Sequence, residues 1–244
     1  MILLYILGGL LGALLLLILF LAVGALLVSP KKEYDTDSKF YRFWYNFAAA
    51  TALKLMRVRV HATGLEKLPK DQKILFVGNH RSNCDPIATG HALKKWRISF
   101  ISKPSLFKIP IFGRYIHRCC FLAIDRENPR NAITTIRKGA VLLEKQEVSV
   151  GVYPEGTRSK SGELLPFHNG VFKIAQKAEV PIVVVCITGS EKVAKHWPWR
   201  STDVYVDVLE VFSAAGTKEA KTQDIGTAVC RLLESSIEKR EKTK

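Results

Sequence analysis

Short apolar runs alternating with longer helical segments predict an α/β domain, a mostly parallel or mixed central sheet flanked by helices. Two further observations frame that domain. Residues 1–30 contain no charged side chain, so the full net charge of +15 falls on residues 31–244. The apolar runs beyond residue 58 have strand length and little polar alternation, as strands buried on both faces do. The expected organisation is a membrane anchor over 1–30, a linker and amphipathic interfacial helix over 31–57, and the α/β domain over 58–244.

The front segment reads MILLYILGGLLGALLLLILFLAVGALLVSP. As a helix, Ile2 to Val28 would be about 40 Å long at ~1.5 Å per residue, enough to cross a ~30 Å bilayer core with tilt. A cleaved signal peptide would want a basic residue ahead of a core of ~7–15 residues. No basic residue precedes this run, and the run is far longer, so a retained anchor is expected. It either spans the membrane or dips into one leaflet as a hairpin bent at Gly8, Gly9, Gly12 or Gly24. Lys31 and Lys32 follow directly. The positive-inside tendency then places the anchor in the cell membrane and the body on its cytoplasmic side.

In "KFYRFWYNFAAATALKLM" (39–56), Phe40, Phe43, Trp44 and Phe47 recur at helical spacing. Such a stripe either lies in the membrane interface or packs on the domain core. Beyond it, "KILFVGN" (73–79), "RISFISK" (97–103), "CFLAID" (120–125), "VSVGVYPE" (148–155), "PIVVVCITGS" (181–190) and "DVYVDVLEVF" (203–212) read as strands. "DPIATGHALKK" (85–95), "NPRNAITTIRKGAVLLEKQ" (128–146), "NGVFKIAQKAE" (169–179) and the tail from about Lys218 read as helices.

The surplus of Lys and Arg implies an anionic partner: an acidic membrane surface, phosphorylated substrates, or nucleic acid. With an anchor in the chain, anionic membrane lipids match best and no nucleic acid is expected. The rival reading is a membrane-tethered basic nucleic-acid-binding protein. Residues 86–124 sharpen the point, since they hold no Asp or Glu but carry Lys94, Lys95, Arg97, Lys103, Lys108, Arg114 and Arg118 among aromatic and aliphatic residues. That mixture suits lipid headgroups with apolar side chains inserted beneath them. The five cysteines are odd in number and lack metal-ligand spacing, so a reduced compartment and no metal site are expected.

Two constellations carry chemistry. In "VGNHRSNCDPIATG" (77–90), a strand ends before His80, and Asp85-Pro86 opens a helix, Asp suiting the N-cap and Pro the first helical position. A loop after a strand is where α/β folds display reactive groups, and His suits proton abstraction near neutrality when an Asp holds one ring nitrogen protonated. In "VYPEGTRSKSGELLPFHNG" (152–170), Gly156 allows close backbone approach while Thr157, Arg158 and Ser159 offer donors to phosphate oxygens. Cys84 beside Asp85 is poorly placed to form a thiolate.

Together "NHRSNCDP" (79–86), "FLAIDR" (121–126), "YPEGTRS" (153–159) and "VPIVVV" (180–185) resemble, in order and approximate spacing, the glycerolipid acyltransferases. The likeness is strongest to the bacterial 1-acyl-sn-glycerol-3-phosphate acyltransferases, over about residues 55–215. The resemblance implies a glycerol-phosphate acyltransferase-like domain. It implies transfer of a fatty acyl group from acyl carrier protein or coenzyme A, as co-substrate and with no other cofactor, to the sn-2 hydroxyl of lysophosphatidate. It assigns catalysis to His80 with Asp85, and acceptor binding to Glu155, Gly156, Thr157, Arg158 and Arg126. Lys103, at the exit of its strand in the basic stretch, is expected as a further phosphate contact. Cys120 stands where the family usually has Gly, Val184 where it has a second Pro, and Tyr153 where it has Phe. These departures leave another lysophospholipid acceptor open.

Overall fold

The computed structural model describes residues 1–125 and 129–242. Its helices are α1 (Ile2–Leu26), α2 (Lys39–Leu55), α3 (Asp85–Ala92), α4 (Phe112–Arg118), α5 (Pro129–Glu144), α6 (Lys173–Ala178), α7 (Val193–His196), α8 (Ala214–Lys218) and α9 (Thr222–Lys242). Its strands are β1 (Val58–Thr63), β2 (Leu75–Gly78), β3 (Ile98–Ser102), β4 (Leu122–Ala123), β5 (Ser149–Val152), β6 (Ile182–Thr188) and β7 (Thr202–Phe212). They form one sheet in the order β1-β7-β6-β2-β5-β3-β4. β6, β2, β5, β3 and β4 run parallel, while β7 turns antiparallel to β6 and carries β1 beside it. The sheet is thus mixed, with a parallel centre.

The centre is parallel because its strands are apolar on both sides. Phe76, Val183, Val185 and Ile187 face a layer holding Tyr45 and Leu53 of α2, Ala88 of α3 and Ile116 of α4. Leu75, Val77, Val150, Ile182 and Val184 face Leu142 and Leu143 of α5, Ile174 of α6, and Val229 and Leu233 of α9. Successive residues point to opposite faces, so a continuous apolar run is what a helix-covered strand requires. β1 is absent from the strands read above, which are mostly continuous apolar runs; "VRVHAT" instead alternates buried with more exposed positions, the pattern of a half-covered edge strand. The basic stretch 86–124 divides between two roles: Phe100 is core, whereas Leu106, Ile109 and Phe112 stay partly exposed.

α1 is one unbroken helix, so the glycines at 8, 9, 12 and 24 do not bend it into a hairpin. No residue of its most apolar 18-residue window is buried, unlike a soluble core helix. Among the described residues, the contacts to α1 fall on its last turns. Phe20 packs on Phe40 and Trp44, and the Tyr41 hydroxyl donates to the Gly24 carbonyl at 2.8 Å. α2 turns Arg42, Tyr45, Ala49 and Leu53 inward and leaves Phe40, Phe43 and Phe47 exposed. The aromatic stripe therefore faces away from the core.

Arg42 fastens α2 to the sheet. Its guanidinium pairs with Asp37 at 3.1 Å, both side chains almost fully buried. It also donates to the Ile98 carbonyl at 3.1 Å and the Cys119 carbonyl at 2.8 Å. Replacing Arg42 with Met leaves the Asp37 carboxylate buried, its remaining ion pair among the described residues being to Arg97 at 3.9 Å. Removing one partner of a buried pair costs about 3–5 kcal/mol. Arg42→Met should therefore lower the thermal midpoint clearly, and an unchanged melting curve would show that the pair carries no stability.

Candidate active site

β2 and β5 are parallel neighbours, so the loops leaving their C-terminal ends meet at one edge of the sheet. The first holds His80 and the second Glu155, residues far apart in sequence. As β2 ends, the Asn79 side chain continues the pairing to β6, accepting from the Ile187 amide at 2.7 Å and donating to its carbonyl at 2.8 Å. That side-chain pairing lets the main chain turn away without orphaning β6.

The His80 main chain is then gripped from both sides by the second loop. Its N–H donates to Glu155 Oε1 at 2.6 Å, and its carbonyl accepts from the Ser159 amide at 2.8 Å. The other Glu155 oxygen accepts from the Leu165 amide at 3.0 Å. Arg81 adds a hydrogen bond to the Gly162 carbonyl. Glu155 is only 3 % exposed. The resemblance gives Glu155 to the acceptor, but here both its oxygens hold main chain. Burial raises its carboxyl above the ordinary range, against the two amide bonds, which lower it.

The imidazole is fixed separately. His80 Nδ1 lies 2.8 Å from Asp85 Oδ2, and the same oxygen accepts from the amides of Arg81 and Ser82, each at 2.7 Å. The sequence pattern puts Asp85 at the N-cap of α3. Instead it is the first residue of the helix, Cys84 holds the N-cap position without a side-chain cap bond, and Oδ2 alone takes all three donors. The reason is local: the carboxylate turns back into the tight 80–82 loop, whose amides point at it. With the Asp85 carboxylate at Nδ1, a neutral ring donates from Nδ1 and carries its lone pair on Nε2.

A shelf of aromatic rings sets the ring plane. Tyr153 stacks on His80 at 4.5 Å and 14°, and on Phe100 at 5.7 Å and 1°. Phe100 can lie there because its partner across the sheet is Gly151. A Cβ at that glycine would come within 2.5 Å of the Phe100 ring. The Tyr153 hydroxyl is buried, as are Thr89 Oγ1 and Asp85 Oδ1, and none makes a well-formed hydrogen bond among the described residues. Burial, then the Asp85 charge, hold the Tyr153 phenol well above its usual range, so it stays neutral. Burial likewise pushes the Cys84 thiol up to about 12, leaving no thiolate.

The sequence-derived residues fall into three groups. His80, Asp85 and Glu155 are brought together. Gly156 turns the second loop at φ 71° and leaves Thr157 and Arg158 exposed at its crest. Lys103 is exposed at the exit of β3, two strands from β2, and Arg126 lies outside the described residues. Sequence reasoning missed Asn79 and Tyr153 as builders of the site, and it offered Ser159 to phosphate, whereas Ser159 is buried and its amide holds the His80 carbonyl. All three sit inside the motif blocks, but their tasks are packing and backbone pairing, which spacing does not reveal. An apolar cavity of about 290 Å³ opens beside the second loop, lined by Ile101, Ile136, Val152, Tyr153, Gly156 and Val171. A larger hollow of about 650 Å³, between Lys73, Lys94, Lys95 and Trp96, lies at the opposite edge of the sheet, away from the dyad. Among the described residues no three His, Cys, Asp or Glu side chains converge as a metal centre would need.

A family model described as acyltransferase matches residues 59–188. The 1-acyl-sn-glycerol-3-phosphate acyltransferase of Haemophilus influenzae is 30 % identical over 176 residues, covering 70 % of this chain and 72 % of the relative. The human 1-acyl-sn-glycerol-3-phosphate acyltransferase alpha is 31 % identical over 184 residues, covering 66 % of this chain and 65 % of its own. In three dimensions the chain is similar to the 1-acyl-sn-glycerophosphate acyltransferase PlsC of Thermotoga maritima, with a TM-score of 0.70, 23 % identity, and coverage of 91 % and 87 % of the two chains. The chain belongs to the acyltransferase family.

Proposed function

We propose that this protein acylates the sn-2 hydroxyl of 1-acyl-sn-glycerol 3-phosphate, using a fatty acyl thioester of acyl carrier protein or coenzyme A, and releases phosphatidate. The observation that carries the reading is the His80–Asp85 pair at 2.8 Å, set beside an exposed Thr157-Arg158 crest, in a chain whose relatives are named for that reaction.

His80 Nε2 takes the proton of the acceptor hydroxyl as its oxygen attacks the thioester carbonyl. The new C–O bond forms, the C–S bond breaks, and the imidazolium returns its proton to the departing thiolate. Asp85 holds Nδ1–H and stabilises the transient positive charge. The acceptor hydroxyl is itself the nucleophile, so no acyl-enzyme is required, and the un-ionised Cys84 has no part. Arg158 and the turn at Gly156 take the acceptor phosphate, with Thr157 adding a donor. Arg126 and Lys103 remain further candidates for the phosphate. The apolar cavity beside Tyr153 offers room for an acyl segment. α1 seats the chain in the cell membrane, and Lys31 and Lys32 place the catalytic domain on the cytoplasmic side.

Phosphatidate formation and thiol release by the detergent-solubilised protein test this directly. His80→Ala should lose about 10²–10⁴ of the rate, the usual range for a general base; retained turnover would sink the mechanism. Cys84→Ala should keep near-wild-type activity, and its loss would reinstate a thiol nucleophile. Arg158→Ala should raise the KM for lysophosphatidate about tenfold or more, the scale of one charge-assisted hydrogen bond, with a smaller effect on kcat. Turnover with a different lysophospholipid, and none with lysophosphatidate, would overturn the acceptor assignment alone.

A further inference from the structure

The segment between β6 and β7 carries two tryptophans that the site does not use. Trp197 is 53 % exposed and Trp199 84 %. Indoles concentrate where one side is apolar and the other wet, most of all at membrane interfaces. This segment is not a loose tether. The Trp197 indole N–H donates to the Leu55 carbonyl at the end of α2, at 3.1 Å, and Arg57 reaches the Pro198 carbonyl at 3.4 Å.

Leu55 is itself 70 % exposed. Its position falls about 60° round the helix from Phe40, at the border of the exposed face of α2 that carries Phe40 and Phe47. Trp197 therefore extends the uncovered face at the end of α2, with the exposed Trp199 two residues on, and that face joins α1 through Phe20. Charge around it is mainly basic, and the nearby Asp203 carboxylate is taken up by Arg59 at 2.8 Å and His61 at 2.7 Å. Residues 39–65 and 192–202 contain no Asp or Glu, while Lys54, Arg57, Lys195 and Arg200 are exposed there. Convex indoles on a basic rim suit a fluid anionic surface better than a shaped protein partner.

Topology adds the functional consequence. β6 runs parallel to its neighbour β2, so the segment after β6 leaves from the same sheet edge as the His80 loop. We propose that residues 195–200 form an interfacial foot that seats in the anionic headgroup layer entered by α1, holding the catalytic edge at the lipid surface. This rests on the reading of α1 as a bilayer-seated helix.

The test uses the full chain reconstituted in phosphatidylglycerol-containing vesicles, with Trp44, Trp96 and Trp197 each changed to Phe so that Trp199 emits alone. Lipids brominated near the headgroup end of the acyl chain should quench most of that emission, and lipids brominated near the chain terminus little of it. A companion chain with Trp199→Phe as well and Leu15→Trp reports on α1. Quenching of the Leu15→Trp probe with Trp199 unquenched and open to iodide would overturn the foot while leaving the anchor intact. An unquenched Leu15→Trp probe would overturn anchor and foot together. Trp199 shielded only in step with self-association would give the surface to a second copy and likewise overturn the proposal. Trp199→Ser should also lower kcat/KM severalfold for acceptor in vesicles but not for a short-chain, water-soluble acceptor; equal loss on both would remove the orienting role.

Discussion

The site depends on one buried carboxylate. Glu155 joins the loop after β5 to the His80 amide and to the Leu165 amide further along its own loop. Parallel pairing of β2 and β5 brings the loops to the same edge, but pairing alone does not lock one loop against the other. Burying a carboxylate costs several kcal/mol, and hydrogen bonds to a charged group contribute about 1.5–3 kcal/mol each. The two terms nearly cancel. What the arrangement contributes is position: His80 cannot move without breaking a bond at its amide and another at its carbonyl. An amide side chain at 155 would turn a donor toward one of those N–H groups, so the acidic residue is needed for its two acceptors.

The same economy governs the imidazole. Asp85 concentrates three donors on one oxygen, so ring orientation and the shape of the 80–82 loop are set by a single atom. From below, the ring plane is fixed by a stack that begins in the core. Gly151 makes room for Phe100, Phe100 supports Tyr153, and Tyr153 supports His80. A volume change two strands from the dyad is therefore felt at the dyad, because close-packed interiors transmit rather than absorb displacement.

Much of this was legible in the sequence, for reasons that also explain the rest. β2, β5 and β6 announce themselves because strands covered on both faces must be apolar throughout. β1 and the antiparallel turn of β7 do not, because an alternating edge pair looks the same in either direction. His80 and Asp85 stand out as polar residues where a strand gives way to a helix. The role of Glu155 is invisible at that level, since a carboxylate that binds a ligand and one that binds main chain have the same letter and the same neighbours. Cys120 is the instructive departure. The family usually has Gly there, and the residue adopts φ 60°, the left-handed region where a Cβ is strained. The sequence flagged the position, and only the backbone says why glycine suits it.

With α1 seated in a bilayer as proposed, the route from membrane to chemistry runs along α2. At its start, Arg42 is tied to Ile98, the first residue of β3, at the edge opposite the dyad. At its end, the Arg57 carbonyl accepts from Thr202 at 3.0 Å, at the edge that carries His80. α2 thus crosses one face of the sheet from edge to edge, packed throughout on the core, with α1 fastened near its beginning. An uncovered aromatic face on a helix fastened at both ends cannot adapt to a bilayer independently of the active site. On the proposed reading, the depth at which a lipid hydroxyl would meet His80 Nε2 is a property of this rigid pairing of helix and sheet, and the loops at the dyad's edge need only admit the headgroup.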